Sequence, residues 1–169
     1  MNPQRIYSFS IRNIAFTLIL LLPSSMVAQE QKRSGEKYLC SEPHPEVICN
    51  AGNTCGSGST SCSVEVKRTA SDASVTPSIP NAKANQPFCV KVGTKVIWKS
   101  PSKNTGFVLD FGPDSPFSTE AIIGGSDREV SSVANKKGCY KYSAGACVSG
   151  AINGMCASVD TRLIIVGNE

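Results

Sequence analysis

Histidine is almost missing from this chain: His44, between Pro43 and Pro45, is the single one in 169 residues. That scarcity removes most imidazole chemistry, since a catalytic triad, a zinc-hydrolase pair and a blue-copper centre each need histidine at fixed places. No C-x-x-C pair is present, which excludes the usual redox dithiol and the tight knuckle of a zinc site. Neither a nucleophile elbow nor a phosphate-cradling glycine loop is found. Lysines are scattered among acids without a basic block, so nothing favours nucleic acid. After residue 29 no stretch keeps the 3.6-residue apolar period of an amphipathic helix.

What is present begins with an apolar run, Ile11 to Leu22, preceded by Arg5 and Arg12 and followed by Pro23, Ser24, Ser25, Met26, Val27 and Ala28. Basic, apolar, then small is the order of a secretory signal peptide. The run is well short of the ~20 residues that span a bilayer as a helix. We therefore read residues 1–28 as a cleaved leader, with no stable membrane anchor afterwards and a secreted or periplasmic destination. Its removal takes away Arg5 and Arg12 and lowers the formal charge from +4 to +2.

All eight cysteines, Cys40, Cys49, Cys55, Cys62, Cys89, Cys139, Cys147 and Cys156, follow the leader. An even count in an exported chain argues for disulfides, although spacing does not choose the pairs. Residues 29–62 hold half of them in a polar, Pro- and Gly-punctuated stretch with no apolar period, expected to be irregular and disulfide-pinned. Zinc at His44 is disfavoured, because the neighbouring cysteines are separated by eight, five and six residues.

Residues 63–169 read as short strands divided by turn clusters. Val64 and Val66 alternate with charged residues as in an edge strand, and a weak extended segment lies near Ala73 to Val75. Phe88, Val90 and Val92, the Gly93-Thr94 turn, and Val96 to Trp98 read as a hairpin. Phe107, Leu109 and Phe111 share a face, Val130 and Val133 precede another turn, and Tyr140, Tyr142 and Ala144 alternate with Cys139, Lys141 and Ser143. Leu163 to Val166 closes the series. One helical turn is conceivable within Ser115 to Ile122. The fold class is an all-β, antiparallel sandwich or barrel, and Trp98 is expected in its core.

The segments Val92-Gly93-Thr94-Lys95-Val96-Ile97-Trp98, Phe107 to Asp110, Gly138-Cys139-Tyr140-Lys141-Tyr142 and Gly154-Met155, in that order, resemble a cupredoxin, the plastocyanin-like family of small exported copper proteins. The resemblance runs from about Phe88 to Val166. It implies a Greek-key β-sandwich, preceded here by the Cys-rich irregular segment. In the family, the loop after the Tyr strand carries a Cys ligand, a His three residues later and a Met further on. Those positions fall on Ala144, Cys147 and Met155, and the other family His falls near Asn104 or Thr105. Both imidazoles and the aligned thiolate are missing, so the resemblance implies no standard copper centre.

Three functional readings follow. In the first, Cys147 and Cys156, together with Cys139, are disulfide cysteines that fix the former ligand loop, and the protein is a binding or structural module with no cofactor and no catalysis. Its partner would be an unknown protein or small molecule in the cell envelope or outside. Loops Ser100 to Thr105, Gly112 to Phe117 and Gly145 to Gly154 would cluster at one end, with Lys103, Asn104 and Phe117 as contact residues. The second reading is a Cu(I) or electron-transfer site built from Cys147, Met155 and Cys156, since thiolate and thioether are soft ligands. The third, an enzyme, has the thinnest support for the reasons above.

Overall fold

In the computed structural model of the protein the described residues are 37–57, 59–148 and 156–167. The expected leader and Met155 lie outside them. Strand β1 (Leu39–Cys40) and a single helical turn α1 (Pro45–Ile48) come first. They are followed by β2 (Cys62–Arg68), β3 (Ala73–Pro77), β4 (Phe88–Lys91), β5 (Lys95–Lys99), β6 (Thr105–Asp110), β7 (Ala121–Gly125), β8 (Val130–Val133), β9 (Gly138–Val148) and β10 (Cys156–Val166). The strands form two sheets: a four-stranded one ordered β3-β2-β5-β8, and a six-stranded one ordered β4-β10-β9-β6-β7 with β1 added beside β9. The fold is all-β, as the period-2 alternation predicts.

Between the sheets lies one core. Val64, Val66, Val75 and Val96 enter it from the four-stranded side, and Phe88, Val90, Leu109, Leu163 and Ile165 from the other. Its centre is aromatic. Trp98 is fully buried and meets Phe111, Phe117 and Tyr142 edge-on at centroid distances of 6.1–6.2 Å, while Phe111 and Tyr142 stack at 4.5 Å. Such ring pairs each contribute roughly 0.5–1.5 kcal/mol beyond the area they bury.

The structure corrects several local expectations. Strands β4 and β5 do not form a hairpin: β4 pairs in parallel with β10, whereas β5 lies between β2 and β8 in the other sheet. The connection at Gly93 crosses between layers, helped by φ +85°, and its amide donates to Ala134 O at 2.8 Å. Strand β2 is interior, flanked by β3 and β5, rather than an edge. No helix forms between Ser115 and Ile122. The largest difference is in length: β9 and β10 run 11 residues each, paired from Gly138↔Ile165 to Cys147↔Cys156. Gly145 is therefore a strand residue, and Ala144 and Ala146 both continue the buried face.

Four disulfides join Cys40 to Cys139, Cys49 to Cys89, Cys55 to Cys62 and Cys147 to Cys156. Such a set fits an oxidising, extracellular type of environment. No helix among the described residues is long and apolar enough to cross a membrane. The N-terminal segment is pinned as expected, but it is not wholly irregular: β1 extends the sheet, and α1 leads to Cys49. α1 has no fully buried residue, and this segment is attached to the sandwich by its bridges, by the pairing of β1 with β9 and by the backbone bonds of Asn53 and Cys55 to Cys89, with Ile48 packing alongside.

Candidate functional site

The outer face of the six-stranded sheet is divided in two. At the end where β9 begins, Cys89, Cys139 and Ile164 form a small buried cluster covered by Cys40, Ile48, Cys49 and Val166. Toward the other end the cover stops and the face is polar. Register fixes what lies there: Arg162 is opposite Lys141, Asp160 is opposite Ser143, and Asp110 of β6 is opposite Ser143 on its other side. Alternation along a strand places Lys141 and Ser143 on the face turned away from Tyr142 and the core.

Two walls turn this open face into a cleft of about 290 Å³. One wall is Lys37 and Tyr38, just before β1; the other is Asn85 and Pro87, just before β4. The Tyr38 hydroxyl donates to Asp110 Oδ2 at 2.7 Å, and the Gly112 amide donates to Asp110 Oδ1 at 3.0 Å. The first bond pushes the Tyr38 phenol above its usual range, with partial burial adding to it. Gly112 has φ +65°, and a Cβ there would run into the Tyr38 ring, so only glycine lets the wall close down. Opposite, Asn85 adopts φ +62°, accepts from the Val75 amide at 2.8 Å and donates to Ala73 O at 3.2 Å. Its own carbonyl accepts from the Thr161 hydroxyl at 3.1 Å. Both walls are held by specific bonds.

The residues named from the sequence are distributed differently. Lys103 and Asn104 are exposed, and Asn104, at φ +57°, makes the turn into β6. Phe117 is a correction: it is buried, T-shaped against both Trp98 and Phe111, and offers no ring to a partner. The loop around it is also at the wrong end. Thr105 pairs with Val148, so Ser100 to Asn104 lies by the last residues of β9, whereas Asn135, just before β9, donates to Pro116 O at 2.9 Å. Ser100 to Thr105 and Gly112 to Phe117 therefore lie at opposite ends of β9 and do not converge; of the third expected loop, residues 149–154 lie outside the described residues.

Ala144 is buried in mid-strand between Leu109 and Val159. Cys147 and Cys156, which the soft-metal reading would use as thiolates, are joined to each other across β9 and β10, and Met155 is not among the described residues. His44 is exposed, with Nδ1 3.2 Å from Glu46 Oε1. Among the described residues no group of three or more His, Cys, Asp or Glu is placed to hold a metal ion.

The cleft residues Tyr38, Lys141, Asp160 and Arg162 were not singled out from the sequence. A signal existed for two of them: Ser158, Asp160 and Arg162 alternate with Val159, Thr161 and Leu163, an amphipathic strand that starts well before Leu163. For Tyr38 nothing local pointed to the site. What the assembled residues can do is bind, through cations, a carboxylate, a free hydroxyl and apolar walls. No family model, no curated protein and no solved structure matches this chain.

Proposed function

We propose that this is an exported, disulfide-stabilised binding protein on a cupredoxin-like Greek-key sandwich that lacks a standard copper site and performs no catalysis. The chain passes between the sheets at β1–β2, β3–β4, β4–β5, β5–β6, β7–β8 and β8–β9, connections of the kind a Greek-key sandwich uses, which supports the fold reading. The four bridges support export. Binding rests on one observation: the N-terminal segment seals only half of a sheet face, and the uncovered half is a walled cleft. A face that needed only protection from water would be covered or uniformly solvated.

The test uses the oxidised chain without its leader, immobilised and exposed to the polymers and small molecules of the producing cell's envelope and medium. Ser143→Trp fills the cleft from its floor without touching the core. Material retained by the wild type and lost from Ser143→Trp is the expected result. Identical retention by the two proteins would overturn the assignment to this cleft.

A further inference from the structure

We infer that the cleft takes a linear acidic saccharide, a chain of sugars bearing carboxylate or sulfate groups. This rests on the binding reading and names the ligand class for the same site. The first ground is a like-charge pair in which neither member has an ion-pair partner. Lys141 and Arg162 are directly opposite on adjacent antiparallel strands, an arrangement that destabilises a sheet when the charges are alike. Neither Lys141 nor Arg162 forms an ion pair among the described residues. Asp110, the carboxylate on the neighbouring strand, has its two oxygens engaged by Tyr38 and Gly112. Lys37 on the wall adds a third cation. An anionic group seated between these cations would relieve the repulsion.

The second ground is shape. Pro87 and Arg162 also line a second recess, of about 410 Å³, that contains Lys83. Each space alone is near the lower end of the roughly 300–1,000 Å³ typical of ligand sites. With Arg162 lining both, Lys37 and Lys141 lie in the first and Lys83 in the second, a spread of cations that suits an elongated ligand better than an isolated ion.

The third ground separates a saccharide from a denser polyanion. Asp160 lies on the same floor, opposite Ser143. It would repel closely spaced phosphates but accepts hydrogen bonds from sugar hydroxyls, with the Ser143 hydroxyl beside it. Tyr38 and Pro87 supply apolar wall for the C–H faces of sugar rings. A nucleic-acid strand would call for a series of stacking aromatics; of the two tyrosines that line the cleft, Tyr142 is buried with its ring stacked on Phe111 in the core, which leaves Tyr38 to offer a ring face.

The experiment is a calorimetric titration of the oxidised, leader-free protein. The probes are trigalacturonate, a heparin-derived tetrasaccharide, maltotriose, sodium sulfate and a six-base oligothymidylate. Binding of either acidic oligosaccharide, weakened by salt, with maltotriose inert, is expected; the stronger of the two tells carboxylate from sulfate. Lys141→Gln and Arg162→Gln should each weaken it about tenfold while melting no lower than wild type, and Lys67→Gln on the other sheet should leave it unchanged. The inference fails if maltotriose binds equally well, if sulfate alone binds as tightly as the oligomers, if oligothymidylate binds best, or if the glutamine variants bind as wild type does. It also fails if no probe binds; retention lost in Ser143→Trp would then show that the cleft binds something of another class.

Discussion

The two halves of one sheet face solve the same problem in opposite ways. At the β9 start, backbone and apolar side chains are hidden by a segment that has little apolar surface of its own and is attached through Cys40–Cys139 and Cys49–Cys89, bridges spanning 99 and 40 residues. At the other end the face stays wet, and its bridge, Cys147–Cys156, spans 9 residues and closes a single hairpin. Long-range bridges remove much more freedom from the unfolded chain than a short one does. The covered half therefore carries stability, and the open half is left free for contact.

Removing bridges pair by pair gives the largest effect and the most direct way to break this contrast. Replacing Cys40 and Cys139 by alanine should lower unfolding free energy by about 4–5 kcal/mol, and replacing Cys49 and Cys89 by about 4 kcal/mol. The Cys147→Ala/Cys156→Ala variant should lose only about 2–3 kcal/mol. Denaturant midpoints at constant m-value would check the ranking. An equal loss from all three would mean that loop length is not what distinguishes the halves.

Accessibility sharpens it further. Cys156 is exposed and Cys147 half-buried, whereas Cys55, Cys62, Cys89 and Cys139 are buried, so each of the other bridges has at least one shielded sulfur. Thiol–disulfide exchange needs a line of attack at sulfur. With limiting reductant under native conditions, peptide mapping after alkylation should find label first on Cys147 and Cys156. Early label on Cys89 or Cys139 would show that the cover opens readily.

How much of this was legible depends on what alternation can encode. Period-2 patterns identified Trp98, Leu109, Tyr140 and Tyr142 as inward, because burial of a side chain depends on its own strand's pleat. They could not say which strand lies alongside: β4 and β5 carry the same pattern whether they pair with each other or, as here, sit in different sheets. Glycine misled at Gly145, where the missing side chain leaves room for Val108 instead of making a turn; an added Cβ would lie 3.1 Å from Val108 Cγ1. Phe117 misled because the cupredoxin resemblance placed its loop beside the family's metal site as a contact loop, although its ring completes the aromatic core. The cleft itself joins Tyr38, Asn85 and Arg162, too far apart in sequence for any local pattern to associate.

Two tyrosines on either side of the same sheet should respond oppositely to loss of the hydroxyl. Tyr38 donates to Asp110, so Tyr38→Phe should cost about 1 kcal/mol. The buried Tyr142 hydroxyl has no hydrogen-bond partner among the described residues, so Tyr142→Phe should be neutral or raise stability by about 1 kcal/mol. Burial pushes the Tyr142 phenol far above its ordinary value near 10. A folded-state pKa raised above the unfolded one contributes stability that is complete below about pH 10 and is lost as pH rises beyond it. Tyr142→Phe should flatten that alkaline decline, measured as melting temperature between pH 8 and 11.

The smallest expected effect bears most directly on why the open half is charged as it is. If Lys141 and Arg162 are kept together for a ligand, the unliganded protein carries their repulsion, and Lys141→Glu should convert a like-charge cross-strand pair into an opposite one. The gain is roughly 0.2–1 kcal/mol at low salt and smaller at high salt, because both groups reach solvent. A double-mutant cycle with Arg162→Gln isolates the pair: the stabilisation from Lys141→Glu should largely vanish when Arg162 is neutral. If Lys141→Glu destabilises with Arg162 intact, the wild-type pair is not repulsive, and the open half would be an ordinary solvated surface with no strain for an anion to relieve.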